Sequence, residues 1–123
     1  MLILLDCDDE CPAELGPDLL RRAKEVRSDV GMFVSLAHRE FESWFIAAVR
    51  SLRGTRGLSN DLLPPADPER TRDAKGWLSN RMNVAYDPVT HQVEFAKKID
   101  LRQACGSQSF NRFYQYVCKL LEG

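Results

Sequence analysis

Met1-Leu2-Ile3-Leu4-Leu5-Asp6-Cys7-Asp8-Asp9-Glu10 is the stretch on which the reading of the fold turns. Its first five residues are apolar with no alternation, the pattern of a parallel strand buried on both faces. The run then stops in four carboxylates within five positions. An open parallel sheet carries its functional groups just past the carboxyl ends of its strands, so Asp6, Asp8, Asp9 and Glu10 fall where such a fold builds a site. Two readings fit this acidic loop. In one, an Asp-x-Asp pair offers hard oxygen ligands to Mg²⁺ or Mn²⁺, which relieves the repulsion among crowded carboxylates. In the other, the acids end the strand and solvate a loop that Pro12 helps to turn.

Working outward, Gly16-Pro17-Asp18 predicts a helix start, with proline at the first helical position and an early acid at the positive end of the dipole. Leu19, Leu20, Ala23 and Val26 then share one face, while Arg21, Arg22, Lys24 and Arg27 take the solvated one. Ser28-Asp29 turns into a second predicted strand from Val30 to Ala37. Strand, helix and strand within the first 37 residues make a βαβ unit, whose strands are parallel and finish at one edge. His38, Arg39, Glu40 and Glu42 are therefore expected beside Asp6 and Asp8.

Beyond this unit the pattern is helical. A helix is predicted from about Arg39 to Leu52, with Phe41, Trp44, Phe45, Ala48, Val49 and Leu52 in a wide apolar stripe of core type. Glu40 and Glu42 fall in its first turn, where the dipole alone already favours a carboxylate. Gly54 and Gly57 end the helix, leaving Arg50, Arg53 and Arg56 as a basic cluster. Asp67-Pro68-Glu69 predicts a helix running to about Met82, with Arg70, Arg72, Lys75 and Arg81 as a second basic surface. Asp87-Pro88 marks a turn, a short helix follows from His91 to Ile99, and Asp100 caps a further turn. Ser107 or Ser109 caps the last helix, in which Phe110, Phe113, Tyr114, Val117, Leu120 and Leu121 recur at threes and fours. The expected fold class is α/β, a short parallel βαβ sheet covered by helices with a helical C-terminal half. Two strands leave open edges, so another strand is expected from a partner chain or from residues preceding Met1.

A chain of 123 residues is expected to be a single domain, 1–57 forming the βαβα core with the acidic site and 58–123 the helical portion. Its 44% hydrophobic and 28% charged residues argue against disorder and against a membrane protein, and no run is long enough to span a bilayer. A formal net charge of −1 gives no global basic field, so nucleic acid would have to be met by a local patch. The four cysteines, Cys7, Cys11, Cys105 and Cys118, come without an export signal and read as reduced thiols of a cytoplasmic protein. Cys7 and Cys11 with His38 and His91 lack the spacing of a zinc site, and the oxygen-rich surroundings suit a harder ion.

Leu4-Leu5-Asp6-Cys7-Asp8-Asp9, Cys11-Pro12-Ala13-Glu14-Leu15-Gly16-Pro17, Ala37-His38-Arg39-Glu40-Phe41-Glu42-Ser43-Trp44-Phe45 and Ser107-Gln108-Ser109-Phe110 together resemble the bacterial DUF4276 family, over essentially the whole chain. That family is similar to Toprim-like domains, the metal-dependent fold of topoisomerases, primases and overcoming-lysogenisation-defect nucleases. The resemblance implies that Asp6 and Asp8 match the Toprim Asp-x-Asp metal motif, with Asp9 adjoining, and that Glu42 lies near the metal. It also implies a phage-defence setting and an ATPase partner. Toprim-like proteins carry a further glutamate at the end of an earlier strand, which here would precede Met1. The chain accordingly reads as the C-terminal portion of a longer family member or as a shortened one.

Two functions are compatible with these residues. The first is a Mg²⁺-dependent phosphodiester hydrolase acting on DNA or RNA, with Asp6, Asp8 and Asp9 at the ion. Glu42 or Glu40 would then complete the shell or orient water, and His38 and Arg39 would contact the scissile phosphate. For Arg39 an ion pair with the acidic loop is the favoured alternative to phosphate contact. The second is a catalytically inactive Toprim-like module that partners an ATPase or forms a homodimer through its sheet edge. A phosphoaspartyl phosphatase would need threonine where Glu10 stands, and a PIN-type nuclease would need late acids for which only Glu94 and Asp100 are available.

Overall fold

The structure, a computed structural model, describes residues 2–6, 12–29, 31, 33–37 and 40–122. Strand β1 (Leu2–Asp6) and strand β2 (Phe33–Ala37) pair in parallel, from Leu2 opposite Phe33 to Asp6 opposite Ala37. Helix α1 (Pro12–Val26) lies between them in sequence and contacts β2. It begins before the predicted Gly16 start and carries Pro17 inside it, so one intrahelical hydrogen bond is missing there. Asp18 is thereby removed from the first turn. It pairs instead with Arg21 at 2.8 Å and Arg22 at 3.1 Å, one turn further on.

The aliphatic run of β1 is not buried on both faces as expected. Leu2, Ile3 and Leu4 are half-buried and Leu5 is 44% exposed. The physical reason is topology: among the described residues the sheet has two strands, and the last helix packs against β2, so β1 lies towards the open side. Val30 and Met32 of the predicted second strand lie outside the described residues.

The centre of the molecule is α2 (Ser43–Ala47), which is buried all round. This is shorter than the helix predicted from 39 to 52. The backbone leaves the helix at Ala48 (φ −98°, ψ 19°) and resumes as a 3-10 turn over Val49–Leu52. The apolar stripe survives the break, because Trp44, Phe45, Ala48, Val49 and Leu52 are all buried. Two apolar clusters meet on it. Phe45 and Ile46 pack with Leu52, Leu58, Ala74, Leu78, Tyr86 and Phe95, and Trp44 and Ala48 with Ala37, Ala104 and Phe110.

The helix predicted over 67–82 is two pieces. Asp67 caps a single 3-10 turn (Pro68–Arg70), and Asp73 starts afresh as the cap of α3 (Ala74–Ser79), its carboxylate accepting the Gly76 N–H. Two N-cap acids six residues apart make two starts, and only the first resembles the pattern read from sequence. Asp87 likewise caps a helix rather than a bare turn, so α4 runs over Pro88–Lys98. Asp100 caps α5 (Leu101–Ala104) as expected, accepting from the N–H groups of Arg102 and Gln103. Ser107 precedes α6 (Gln108–Glu122), and its carbonyl accepts the Asn111 N–H at 3.0 Å. The C-terminal half is helical, and among the described residues no helix is long and apolar enough to cross a membrane.

Asp100 allows a direct test of local capping. Asp100→Ala is expected to cost about 1 kcal/mol in urea unfolding, since it strips acceptors from two amides at once. A change indistinguishable from zero would mean that water replaces the carboxylate fully.

Between Gly54 and Gly57, Arg56 adopts φ +50° and grips Glu94 of α4 through two parallel bonds of 3.0 and 2.8 Å. The guanidinium holds the Glu94 carboxyl below its ordinary range, chiefly by hydrogen bonding. A folded-state value lowered in this way stabilises the protein above the unfolded value and loses that contribution as the pH falls. The difference in melting temperature between wild type and Glu94→Gln is therefore expected at neutral pH. It should shrink as the pH falls below the ordinary glutamate value of roughly 4.3. A difference that persists unchanged in acid would rule out the ion pair as its source.

Candidate functional site: an acidic cluster around Lys75

Asp6 ends β1, and its Oδ1 accepts the backbone N–H of Phe41 at 2.8 Å. That bond ties the carboxyl end of the strand to the segment entering α2, and so brings Asp6 to Glu40 and Glu42. Neither glutamate sits in the first turn of α2, as the longer predicted helix had implied. Both precede it, and the Glu42 side chain makes no cap hydrogen bond. Their carboxylates turn instead towards elements from the second half of the chain.

Glu40 is held at both oxygens by the start of α3. Its Oε2 accepts the Ala74 N–H at 2.9 Å, and its Oε1 accepts from Lys75 Nζ at 3.3 Å. Glu42 is 1% exposed. Its Oε1 accepts from the Tyr86 hydroxyl at 3.2 Å and from Gln92 Nε2 at 3.4 Å. Its Oε2 has no hydrogen-bond partner, with Lys75 Nζ standing 3.7 Å away.

One ammonium thus serves several carboxylates. Partial burial pulls the Lys75 pKa down, but Glu42, Glu40 and Asp6 together outweigh it and hold the value above that of an ordinary lysine. Tyr86 shows the same field from the other side. Burial first, then the Glu42 charge with smaller contributions from Asp87 and Asp6, pushes its phenol far up, so Tyr86 stays a hydrogen-bond donor.

Of the residues predicted for the site, the structure brings together Asp6, Glu40 and Glu42. Asp8, Asp9, His38 and Arg39 lie outside the described residues. Lys75, Tyr86 and Gln92 were not anticipated. The sequence pattern places Lys75 on the basic surface of a longer helix. The available signal was its place next to Ala74, which with Leu78 forms the buried face of α3. His91, one of the two histidines available to a zinc site, accepts the Asp87 N–H on Nδ1 at 2.8 Å, and its ring is tilted against that of Tyr86 at 5.8 Å. Among the described residues, no three His, Cys, Asp or Glu side chains are grouped so as to hold a metal ion.

The late serines meet the same central segment. Trp44 Nε1 donates to Ser109 Oγ at 2.8 Å, and the Ser109 N–H donates to the buried Glu69 carboxylate at 2.9 Å. The Trp44 and Phe110 rings meet edge to face at 5.1 Å. Phe41-Glu42-Ser43-Trp44 thus carries the acid of one cluster and the packing anchor of the other.

A family model described as a domain of unknown function (DUF4276) matches residues 1–117. The chain belongs to the DUF4276 family. No curated protein and no solved structure matches it. For this DUF4276 member the residues that carried the resemblance now have places: Asp6 and Glu42 in the acidic cluster, Trp44 and Ser109 in the contact that seats α6.

Proposed function

We propose that this chain is a Toprim-like, Mg²⁺-dependent phosphodiester hydrolase acting on nucleic acid in a bacterial defence-type system. The observation that supports it best is the buried Glu42 carboxylate in the segment that Asp6 ties to the carboxyl end of β1, one oxygen of which lacks a hydrogen bond. Such an oxygen is costly in a protein interior and is suited to a cation. The donor chemistry, carboxylates only, fits a hard divalent ion. Asp6 and, by its place in the sequence, Asp8 would hold it, with Asp9 adjoining. When bound, the ion supplies charge neutralisation at the phosphate and activation of water. Glu42, fixed by Tyr86 and Gln92, would orient the attacking water, and His38 and Arg39, which follow β2 in sequence, would contact the phosphate.

A second reading rests on Lys75. An ammonium 3.3 Å from Glu40 and 3.7 Å from Glu42 is already a counter-ion, as expected of a module that has given up the metal and serves an ATPase or a second copy of itself.

Calorimetric titration of Mn²⁺ and Mg²⁺ into wild type and an Asp6→Asn, Asp8→Asn double variant separates the two. Binding in the micromolar to low millimolar range that disappears in the variant is the result expected of the hydrolase. Absence of binding, together with a stable dimer in solution, favours the interaction module.

A further inference from the structure

We propose that the basic surface formed by Arg50, Lys97, Lys98 and Arg102 binds the sugar–phosphate backbone of a nucleic acid, whatever its base sequence. The choice of nucleic acid as the polyanion rests on the hydrolase reading, whereas the surface itself stands apart from the acidic site. Arg50 lies in the 3-10 turn Val49–Leu52, while the two lysines close α4 and Arg102 lies in α5, much later in the chain. Packing brings them together, since α4 and α5 both contact that turn. Three hydrogen bonds lock the junction. The Ser51 N–H donates to Gln103 Oε1 at 3.1 Å, the Asp100 N–H donates to Ser51 Oγ at 3.0 Å, and Lys98 Nζ donates to Thr55 Oγ1 at 3.3 Å.

The charge at this junction is one-sided. Segments 49–56 and 94–103 carry six cations against two carboxylates, in a chain whose formal net charge is −1. Both carboxylates are already engaged, Glu94 with Arg56 at 2.8 Å and Asp100 with the N–H groups of Arg102 and Gln103. Arg50, Lys97, Lys98 and Arg102 are exposed, and among the described residues none of the four pairs with a carboxylate. Exposed cations elsewhere differ in this respect: Arg21 and Arg22 hold Asp18, and Arg70 holds Asp67. The dipole of α4 favours lysines in its last turn, but the 3-10 turn and α5, of four residues each, have little dipole with which to place the arginines. Like charges gathered without acids repel one another, and a polyanion relieves that repulsion while releasing its own counterions. These side chains donate hydrogen bonds and accept none, which suits phosphate oxygens and carries no base readout. Arginine adds a fork that takes two such oxygens at once. Helix α4 also links this surface to the acidic cluster, because Gln92 reaches Glu42 and Lys97 follows roughly 8 Å further along the helix.

The test is fluorescence anisotropy of labelled single-stranded DNA, duplex DNA and single-stranded RNA with the full chain, in EDTA so that no metal contributes, over a series of salt concentrations. One variant carries Arg50→Gln, Lys97→Gln and Arg102→Gln. The control carries Arg21→Gln, Arg22→Gln and Arg70→Gln, the same loss of charge from cations that already hold acids. Wild type is expected to bind at least one of the probes, with log K falling against log salt at a slope of about −3 to −4. The patch variant should bind about tenfold more weakly or worse, with a slope shallower by about 2–3, and the control should stay within about twofold of wild type. An Arg50→Lys, Arg102→Lys variant keeps the charge and should bind like wild type, which separates loss of charge from loss of fold. A patch variant that binds no more weakly than the control overturns the proposal. So does a wild type that binds no oligonucleotide at low salt, or that binds polyglutamate or phosphatidylserine vesicles more tightly than any oligonucleotide. The hydrolase reading fails separately: oligonucleotide binding at the patch with no heat on titration of Mn²⁺ leaves the surface in place and removes the hydrolase.

Discussion

Replacing Trp44 with alanine is expected to remove about 3–5 kcal/mol from the unfolding free energy, the usual range for deleting a buried aromatic. Trp44 is buried and touches three rings, with centroids of Phe41 at 5.0 Å, Phe110 at 5.1 Å and Phe113 at 5.2 Å. Two of these belong to α6, which also packs on β2, so Trp44 is one of the surfaces on which that helix is seated. The substitution also leaves Ser109 Oγ without its indole donor. Trp44→Phe keeps much of the ring and deletes that hydrogen bond, and should cost about 1–3 kcal/mol. Urea denaturation gives the free energies, and amide exchange reads out α6 directly. In Trp44→Ala, the α6 amides should lose protection before those of α2. A loss below about 2 kcal/mol with α6 still protected would mean that the helix is seated by contacts other than these.

The second large effect is expected at Gly57. Its φ of +82° strains any L side chain, and a Cβ there would come within 2.7 Å of Asn83 Cβ and 2.8 Å of the Asn83 amide nitrogen. The left-handed conformation costs roughly 1–2 kcal/mol, and forcing the backbone of Asn83 away adds about as much again. Gly57→Ala should therefore destabilise by about 3 kcal/mol. Gly54 is the control. Its φ is +78°, but a Cβ would meet only Asn60 Oδ1 at 3.5 Å, an ordinary contact. Gly54→Ala should show the conformational cost alone, about 1–2 kcal/mol. Equal losses in the two variants would show that the loop yields to the steric clash without resistance. The Asn83 N–H donates to the Arg56 carbonyl at 2.8 Å, so a shifted Asn83 should also loosen the Arg56 grip on Glu94.

These residues mark how far the sequence could be read. The aliphatic run before Asp6, the 3.6-residue stripe of α6 and the Asp100 cap were legible because each is set by neighbours within a few positions. The end of α2 was not. No glycine or proline stands between Ser43 and Leu52 to announce the turn at Ala48, and the apolar stripe continues through it. Pro17 misled for the opposite reason, being a usual start signal that here sits inside a helix held by its neighbours.

The site was half visible. Asp6 and the two glutamates could be placed at one edge by parallel-strand logic, whereas Lys75, Tyr86 and Gln92 reach them across 33 to 50 residues. No local pattern encodes such pairs. Lys75 in particular looks like any other cation in a run of basic residues until α3 is shortened to Ala74–Ser79.

The short segment from Glu40 to Trp44 has a consequence for how the chain is made. It is anchored to Asp6 behind it, to Ala74, Lys75, Tyr86 and Gln92 ahead, and to Ser109 still further on. On the ribosome, two carboxylates and three large aromatic side chains between 40 and 45 emerge long before the residues that neutralise and cover them. Contacts of such sequence separation slow folding, since the loops must close before they are rewarded. The nascent chain therefore exposes this aromatic and acidic segment for much of its synthesis: its glutamates are met once Gln92 has emerged, and Trp44 is covered only when the last helix arrives.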